Sequence, residues 1–122
     1  MHELSIALSL VDVATSHLRG TCAGRRVDAV HLRLGPLAGV DPDALRCSFT
    51  LACRGTVLDG ARLVIEEVPV VAYCAGCGRE RVVPGIVRLR CPACGSLMPV
   101  VRRGDELELT ALEVEDDAAP DR

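Results

Sequence analysis

The chain has 122 residues and a formal net charge of −3, which suits one compact domain or a small domain carrying an insert. With 49% apolar and 25% charged residues, the composition is that of a globular protein and excludes a disordered one. Phe49 and Tyr73 are the only aromatic residues, so the core is aliphatic and base stacking on single-stranded nucleic acid has almost nothing to work with. Glu3, Asp12 and His17 interrupt the apolar start of the chain, which leaves neither a signal peptide nor a membrane helix and points to the cytoplasm.

Residues 3–19 read as an amphipathic helix, with Leu4, Leu8, Val11 and Leu18 on one face, Ala7 and Ala14 beside them, and Ile6, Leu10 and Val13 widening it. Gly20 is placed to end it. "VDAVHLRLG" then alternates, Val30, Leu32 and Leu34 pointing one way and His31 and Arg33 the other. "DPDALRCSFTLACRG" is a second helix, with Asp41 as N-cap, Pro42 in the first helical position and Gly55 beyond its end. "ARLVIEEVP" is a strand stopped by Pro69. Strand, crossover helix and strand predict a right-handed βαβ unit with parallel strands. In the last strand, "DELELTALEVE", the apolar phase shifts at Ala111 and Leu112, as a bulge would make it.

The predicted fold class is mixed α/β (α+β): a small three-stranded sheet with two helices, plus an inserted cysteine-rich domain. The predicted boundaries are residues 1–70 and 102–116 for the α/β part, 71–101 for the insert and 117–122 for a frayed tail.

The insert reads "YCAGCGRERVVPGIVRLRCPACGSL". Cys74, Cys77, Cys91 and Cys94 form two C-x₂-C pairs, a spacing that lets four sulfurs surround one ion. Gly78 and Gly95 follow the pairs, where the chain curls into positive φ. "RERVV" and "IVRLR" flank "PG", a hairpin signature. The whole is a zinc ribbon. Roughly 30 residues make too small a core to fold unaided, and metal binding supplies the missing free energy. Four thiolates leave no open position, so the ion is structural and no enzyme is expected. A rubredoxin-like iron centre uses the same ligands and would show as a coloured protein. Such a metal site also implies a reducing compartment. Cys22, Cys47 and Cys53 lack metal spacing and read as small apolar residues. Residues 72–104 hold six arginines against Glu80 alone. A zinc-ribbon nucleic-acid adaptor could use such a cluster, but an acidic chain without stacking aromatics argues for a solvated face instead.

At the amino terminus, Met1 and His2 make an X-His chelator. The terminal amine, the His2 amide nitrogen and the imidazole Nδ1 close rings of five and six atoms about one ion, and the Glu3 amide offers a fourth nitrogen. A planar set of nitrogens selects Ni(II) or Cu(II). Met1 is expected to be retained, because His2 is too large for its removal. Taken alone, a histidine at position 2 is more often an inert surface residue.

"MHELSIA", "RGTVLDGARLVIEEVPV", the two cysteine pairs with "CPACGS", and "GDELELTALEVE", in that order, resemble the HypA/HybF family, nickel metallochaperones for [NiFe]-hydrogenase maturation. The resemblance covers about residues 1–115. It implies nickel bound at Met1, His2 and Glu3, with His2 the essential side chain, and structural zinc on Cys74, Cys77, Cys91 and Cys94. The implied partners are a nickel-handling GTPase and the hydrogenase large-subunit precursor, with no membrane or nucleic acid, for a monomer or weak homodimer. Some members carry histidines beside the zinc cysteines, linked to pH response and urease maturation. This sequence has none after His31, so the resemblance does not extend to those properties.

Overall fold

The computed structural model describes residues 2–21, 24–83 and 89–115. Its elements are α1 (His2–Thr21), β1 (Val27–Leu34), a 3₁₀ turn (Pro36–Ala38), α2 (Pro42–Cys53), β2 (Arg62–Glu67), β3 (Val70–Cys74), β4 (Arg79–Val83), β5 (Val100–Arg103) and β6 (Leu107–Val114). They form two helices and two three-stranded sheets, ordered β2-β1-β6 and β4-β3-β5. The chain separates into two compact units. One holds the described parts of Met1–Leu32, Val40–Ile65 and Leu109–Arg122, and the other holds Arg33–Gly39 and Glu66–Glu108.

In the first unit α1 packs against α2. The stripe that α1 buries is Ala7, Leu10, Val11, Ala14 and Leu18, while Leu4 and Leu8 are 40% and 49% exposed. The sequence reading placed Leu4 and Leu8 on that stripe; Leu4 does lie on its line but is exposed in the first turn of the helix, and the helical period removes Leu8. At about 100° per residue, positions 7, 11, 14 and 18 share one line, and position 8 lies well off it. The small alanines take the centre of the contact, where a neighbouring element approaches closely.

Helix α2 starts where Asp41 and Pro42 predict. The Asp41 carboxylate accepts from the backbone N–H of Asp43 at 2.9 Å and of Ala44 at 3.5 Å, meeting donors that the helix cannot satisfy internally. Its inner face carries Leu45, Phe49 and Cys53, each no more than 1% exposed. A fully buried side chain of this size contributes about 1.5–3 kcal/mol.

Strand β1 is the centre of its sheet. Val68 N–H donates to the Leu34 carbonyl at 2.8 Å, so β1 and β2 end side by side, as a parallel crossover requires. Gly35 N–H donates to Glu106 O and Glu115 N–H to Arg26 O, each at 2.9 Å, so β6 runs antiparallel to β1. Val30, Leu32 and Leu34 are buried as the alternation predicts. Val27 and Ala29, on the His31 face, are buried too, so only the second half of that face is polar. There His31 Nε2 bonds the Glu113 carboxylate, and Arg33 lies 3.7 Å from Glu66 and 3.6 Å from Glu108. In β6 the half-buried positions step from Leu109 to Leu112 and Val114, the phase change visible in the sequence.

The second unit has its own core of Val70, Ala72, Cys74, Val83, Cys91 and Met98, with Leu37, Cys77 and Leu89 against it. Strand β3 is central, antiparallel to β4 and β5, with an irregularity in its register to β5 between Val71 and Ala72. Gly104 has φ 119°, and a Cβ there would lie 2.9 Å from Val70 Cα. Gly35 meets Gly104 even more closely, since a Cβ on it would fall 2.2 Å from the Gly104 carbonyl carbon. Backbone packs on backbone at this point, and Leu37 N–H donates to Gly104 O at 2.7 Å.

Candidate metal sites

The four predicted cysteines come together. One ligand sulfur from each of Cys74, Cys77, Cys91 and Cys94 lies within 4.8 Å of every other. Cys74 and Cys94 sulfurs are 3.5 Å apart, and those of Cys77 and Cys91 are 3.8 Å apart. A tetrahedron with bonds of 2.3 Å has sulfur–sulfur edges of about 3.8 Å, so this donor set fits one zinc ion.

Two like turns build the set. The β3–β4 hairpin reverses at the first cysteine pair, where Gly78 N–H donates to Cys74 O at 2.8 Å and Gly78 has φ 69°. Arg90 and Leu97 bridge antiparallel across the second pair, where Gly95 N–H donates to Cys91 O at 2.8 Å with φ 78°. Backbone amides aim at sulfur: Cys77 N–H at Cys74 (3.3 Å) and Ala93 N–H at Cys91 (3.4 Å). The hairpin expected at Pro84 and Gly85 lies outside the described residues.

The thiols are not equivalent. Ser96, through its hydroxyl 3.3 Å away and its backbone, brings Cys94 down to about 6. At Cys74 the Cys77 N–H pulls the other way, but burial and neighbouring sulfurs push the thiol up to about 11. A metal bound by all four sulfurs displaces the protons that the thiols carry. Among the other cysteines, Cys53 is buried and its thiol is pushed up to about 11 by burial and by Asp59. It is an inert core residue, as expected. Cys47 is exposed, which corrects its reading as a buried apolar group, and Cys22 lies outside the described residues.

At the amino terminus Met1 is outside the described residues. His2 is the first residue of α1, with its side chain 60% exposed, and Glu3 follows at 13%. The Glu3 carboxylate is held from two sides. It accepts the backbone N–H of Asp41 at 3.3 Å and lies 3.3 Å from His2 Nε2. The Asp41 N–H and Glu3's own backbone N–H hold the Glu3 carboxyl below the usual carboxylate range against the opposing effect of burial, and the charge of a protonated His2 acts in the same direction. Sequence reasoning identified Asp41 as a helix cap and missed its bond to Glu3, because 38 residues separate them and no pattern links them. The N–H groups of His2 and Glu3 belong to the helix's first turn, which has no internal acceptors for them, so using those nitrogens as ligands costs no helical bond.

A helical pair on a small sheet together with a ribbon of four converging thiols defines a metal-handling protein. The family described as hydrogenase/urease nickel incorporation, metallochaperone, HypA matches residues 1–114. Hydrogenase maturation factor HypA of a Roseiflexus species is 50% identical over 117 residues, covering 96% of this chain and 94% of that one. HypA of Chloroflexus aurantiacus is 50% identical over 113 residues, covering 93% and 98%. Among solved structures, the solution structure of the Ni metallochaperone HypA from Helicobacter pylori superposes with a TM-score of 0.65 at 23% identity, covering 93% of this chain and 97% of that one. The chain belongs to the HypA family, a family of nickel-incorporating metallochaperones and maturation factors rather than of enzymes.

Proposed function

We propose that this protein binds Ni(II) at its amino terminus and delivers it for maturation of [NiFe]-hydrogenase. Met1 contributes the terminal amine, His2 its amide nitrogen and Nδ1, and Glu3 its amide nitrogen. The observation that carries this reading is the placement of His2 and Glu3. An exposed imidazole at the first turn of α1 stands beside a carboxylate fixed by Asp41 N–H. Ligating histidines commonly give their second ring nitrogen to such a carboxylate, which sets ring orientation and raises ligand basicity. Glu3 acts in that capacity and its negative charge offsets the positive end of the helix dipole, which otherwise opposes a cation.

Zinc on Cys74, Cys77, Cys91 and Cys94 is structural: it holds two turns together and supplies folding free energy to a small core. The nickel-binding part comprises residues 1–70 and 102–116, and the ribbon, 71–101, offers a docking surface. The recipients are a nickel-handling GTPase and the hydrogenase large-subunit precursor, in the cytoplasm. Nickel is cargo, so its site sits at a chain end where it is released without opening a core. Protons compete for amide and imidazole nitrogens, so affinity falls as pH falls.

Nickel titration of the native chain against His2→Ala tests the reading. The native chain is expected to take one nickel, and His2→Ala to lose that binding while keeping its zinc and its helix content. Equal nickel affinity in the two proteins would refute the terminal site.

A further inference from the structure

Two arginines of β4, Arg79 and Arg81, fall on the face of the ribbon that carries its apolar core; Arg79 is exposed and Arg81 is half-buried. In the register of β3 with β4, Val70 lies opposite Val83, Ala72 opposite Arg81 and Cys74 opposite Arg79. Directly opposed residues share a face, and on β3 that face is Val70, Ala72 and Cys74, all at most 2% exposed. Arg81 thus occupies an inward position, between the apolar Val83 and the cysteine turn. Its Nε is buried and is the one such side-chain nitrogen or oxygen without a hydrogen-bond partner among the described residues. Among the described residues no carboxylate forms an ion pair with it, whereas Arg102 and Arg103 on β5 lie 3.8 and 3.9 Å from Glu80.

A buried cation is tolerated where an anion answers it. The core of this unit is apolar apart from its sulfurs, and four thiolates with Zn²⁺ carry a formal charge of −2. We propose that Arg81 is the charge partner of the metal–thiolate centre, its guanidinium offsetting the excess negative charge on the cysteine sulfurs. Arg81 is a positioning residue here and not a ligand. This inference rests on the four cysteines holding zinc, as proposed above.

The zinc-loaded full chain is compared with Arg81→Met, Arg81→Lys and, as a control, Arg79→Met. Three quantities are read: zinc affinity against a competing chelator, the energy of the sulfur-to-metal charge-transfer band after Co(II) replacement, and the rate of zinc release by iodoacetamide. In that last reaction a cysteine sulfur displaces iodide and forms a C–S bond, and the resulting thioether no longer holds the ion. Arg81→Met is expected to bind zinc about 10–100-fold more weakly, the usual cost of removing an outer partner of a metal site. Its charge-transfer band moves to lower energy and its zinc leaves faster, because the sulfurs become better electron donors. Arg81→Lys recovers most of the affinity, and Arg79→Met matches the native chain. Native values for all three quantities in Arg81→Met overturn the inference. A loss as large in Arg81→Lys as in Arg81→Met, with a tetrahedral Co(II) spectrum in both, also overturns it, since charge is then not what Arg81 contributes. If Arg81→Met takes up no metal, Arg81→Lys decides: native-like zinc and band energy uphold the charge role, and their loss rejects it. A native chain that purifies without zinc ends the zinc reading and this inference together, whereas native zinc with an unaffected Arg81→Met ends this inference alone.

Discussion

The cysteine ribbon and the nickel site proposed at the amino terminus are built on opposite principles. In the ribbon, four side chains on two rigid turns converge, two of the sulfurs are buried, and backbone amides aim at them. Such a site is closed and keeps its ion. At the amino terminus the ligands proposed are consecutive along the chain, and the His2 side chain is more than half exposed. Its carboxylate neighbour is tied to the fold through Asp41. A resident ion calls for the first arrangement and a cargo ion for the second.

The largest expected effect is on the closed site. Cys74→Ala or Cys91→Ala should lose the zinc and unfold the second unit, while α1 and α2 persist in the first. Metal analysis and amide NMR check this; cooperative loss of both units on zinc removal would contradict their separate cores. Phe49→Ala is the counterpart in the first unit. Emptying a site only 1% exposed should cost about 3–5 kcal/mol, measured by chemical denaturation, with zinc content unchanged. Gly104→Ala comes next. Its φ of 119° and the 2.9 Å approach to Val70 predict a loss of about 1–3 kcal/mol, seen as a lower melting temperature of the second unit.

Smaller still is Glu3→Gln, which keeps the shape of the side chain and removes its charge. Nickel affinity should fall by about 10-fold, at the low end for an outer-shell partner. The pH dependence carries a definite sign. Because the folded state depresses the Glu3 pKa, the stability it contributes is present above the unfolded value, about 4.3. It is lost as pH falls through the lower folded value. The stability difference between native and Glu3→Gln proteins should therefore vanish on acidification, and a difference that grew would contradict the Asp41–Glu3 bond.

Much of the ribbon was legible because its information is local: C-x₂-C spacing and a following glycine specify a turn within five residues. The α2 start was legible for the same reason, since Asp41 and Pro42 act within one turn. The packing face of α1 was legible at Ala7, Val11, Ala14 and Leu18, which helical spacing marked and which are buried, and not at Leu4 and Leu8, which are exposed. What could not be read are contacts between distant segments, namely Asp41 with Glu3, Gly35 with Gly104, and Arg81 with the cysteine cluster. Arg81 illustrates the limit well. It appears in the sequence as one of six arginines in a basic segment, and burial sets it apart from Arg79, with which it shares a strand face.

The central claim, that a closed zinc site and an open nickel site coexist and do not exchange, meets its most direct test in one titration. Ni(II) is added to the zinc-loaded chain with a free amino terminus and to the same chain bearing one extra residue before Met1, while released zinc is counted. The account predicts one nickel bound to the first protein, loss of that binding in the second, and zinc retained in both. Equal nickel binding by the extended chain, or zinc released in step with nickel uptake, would contradict it.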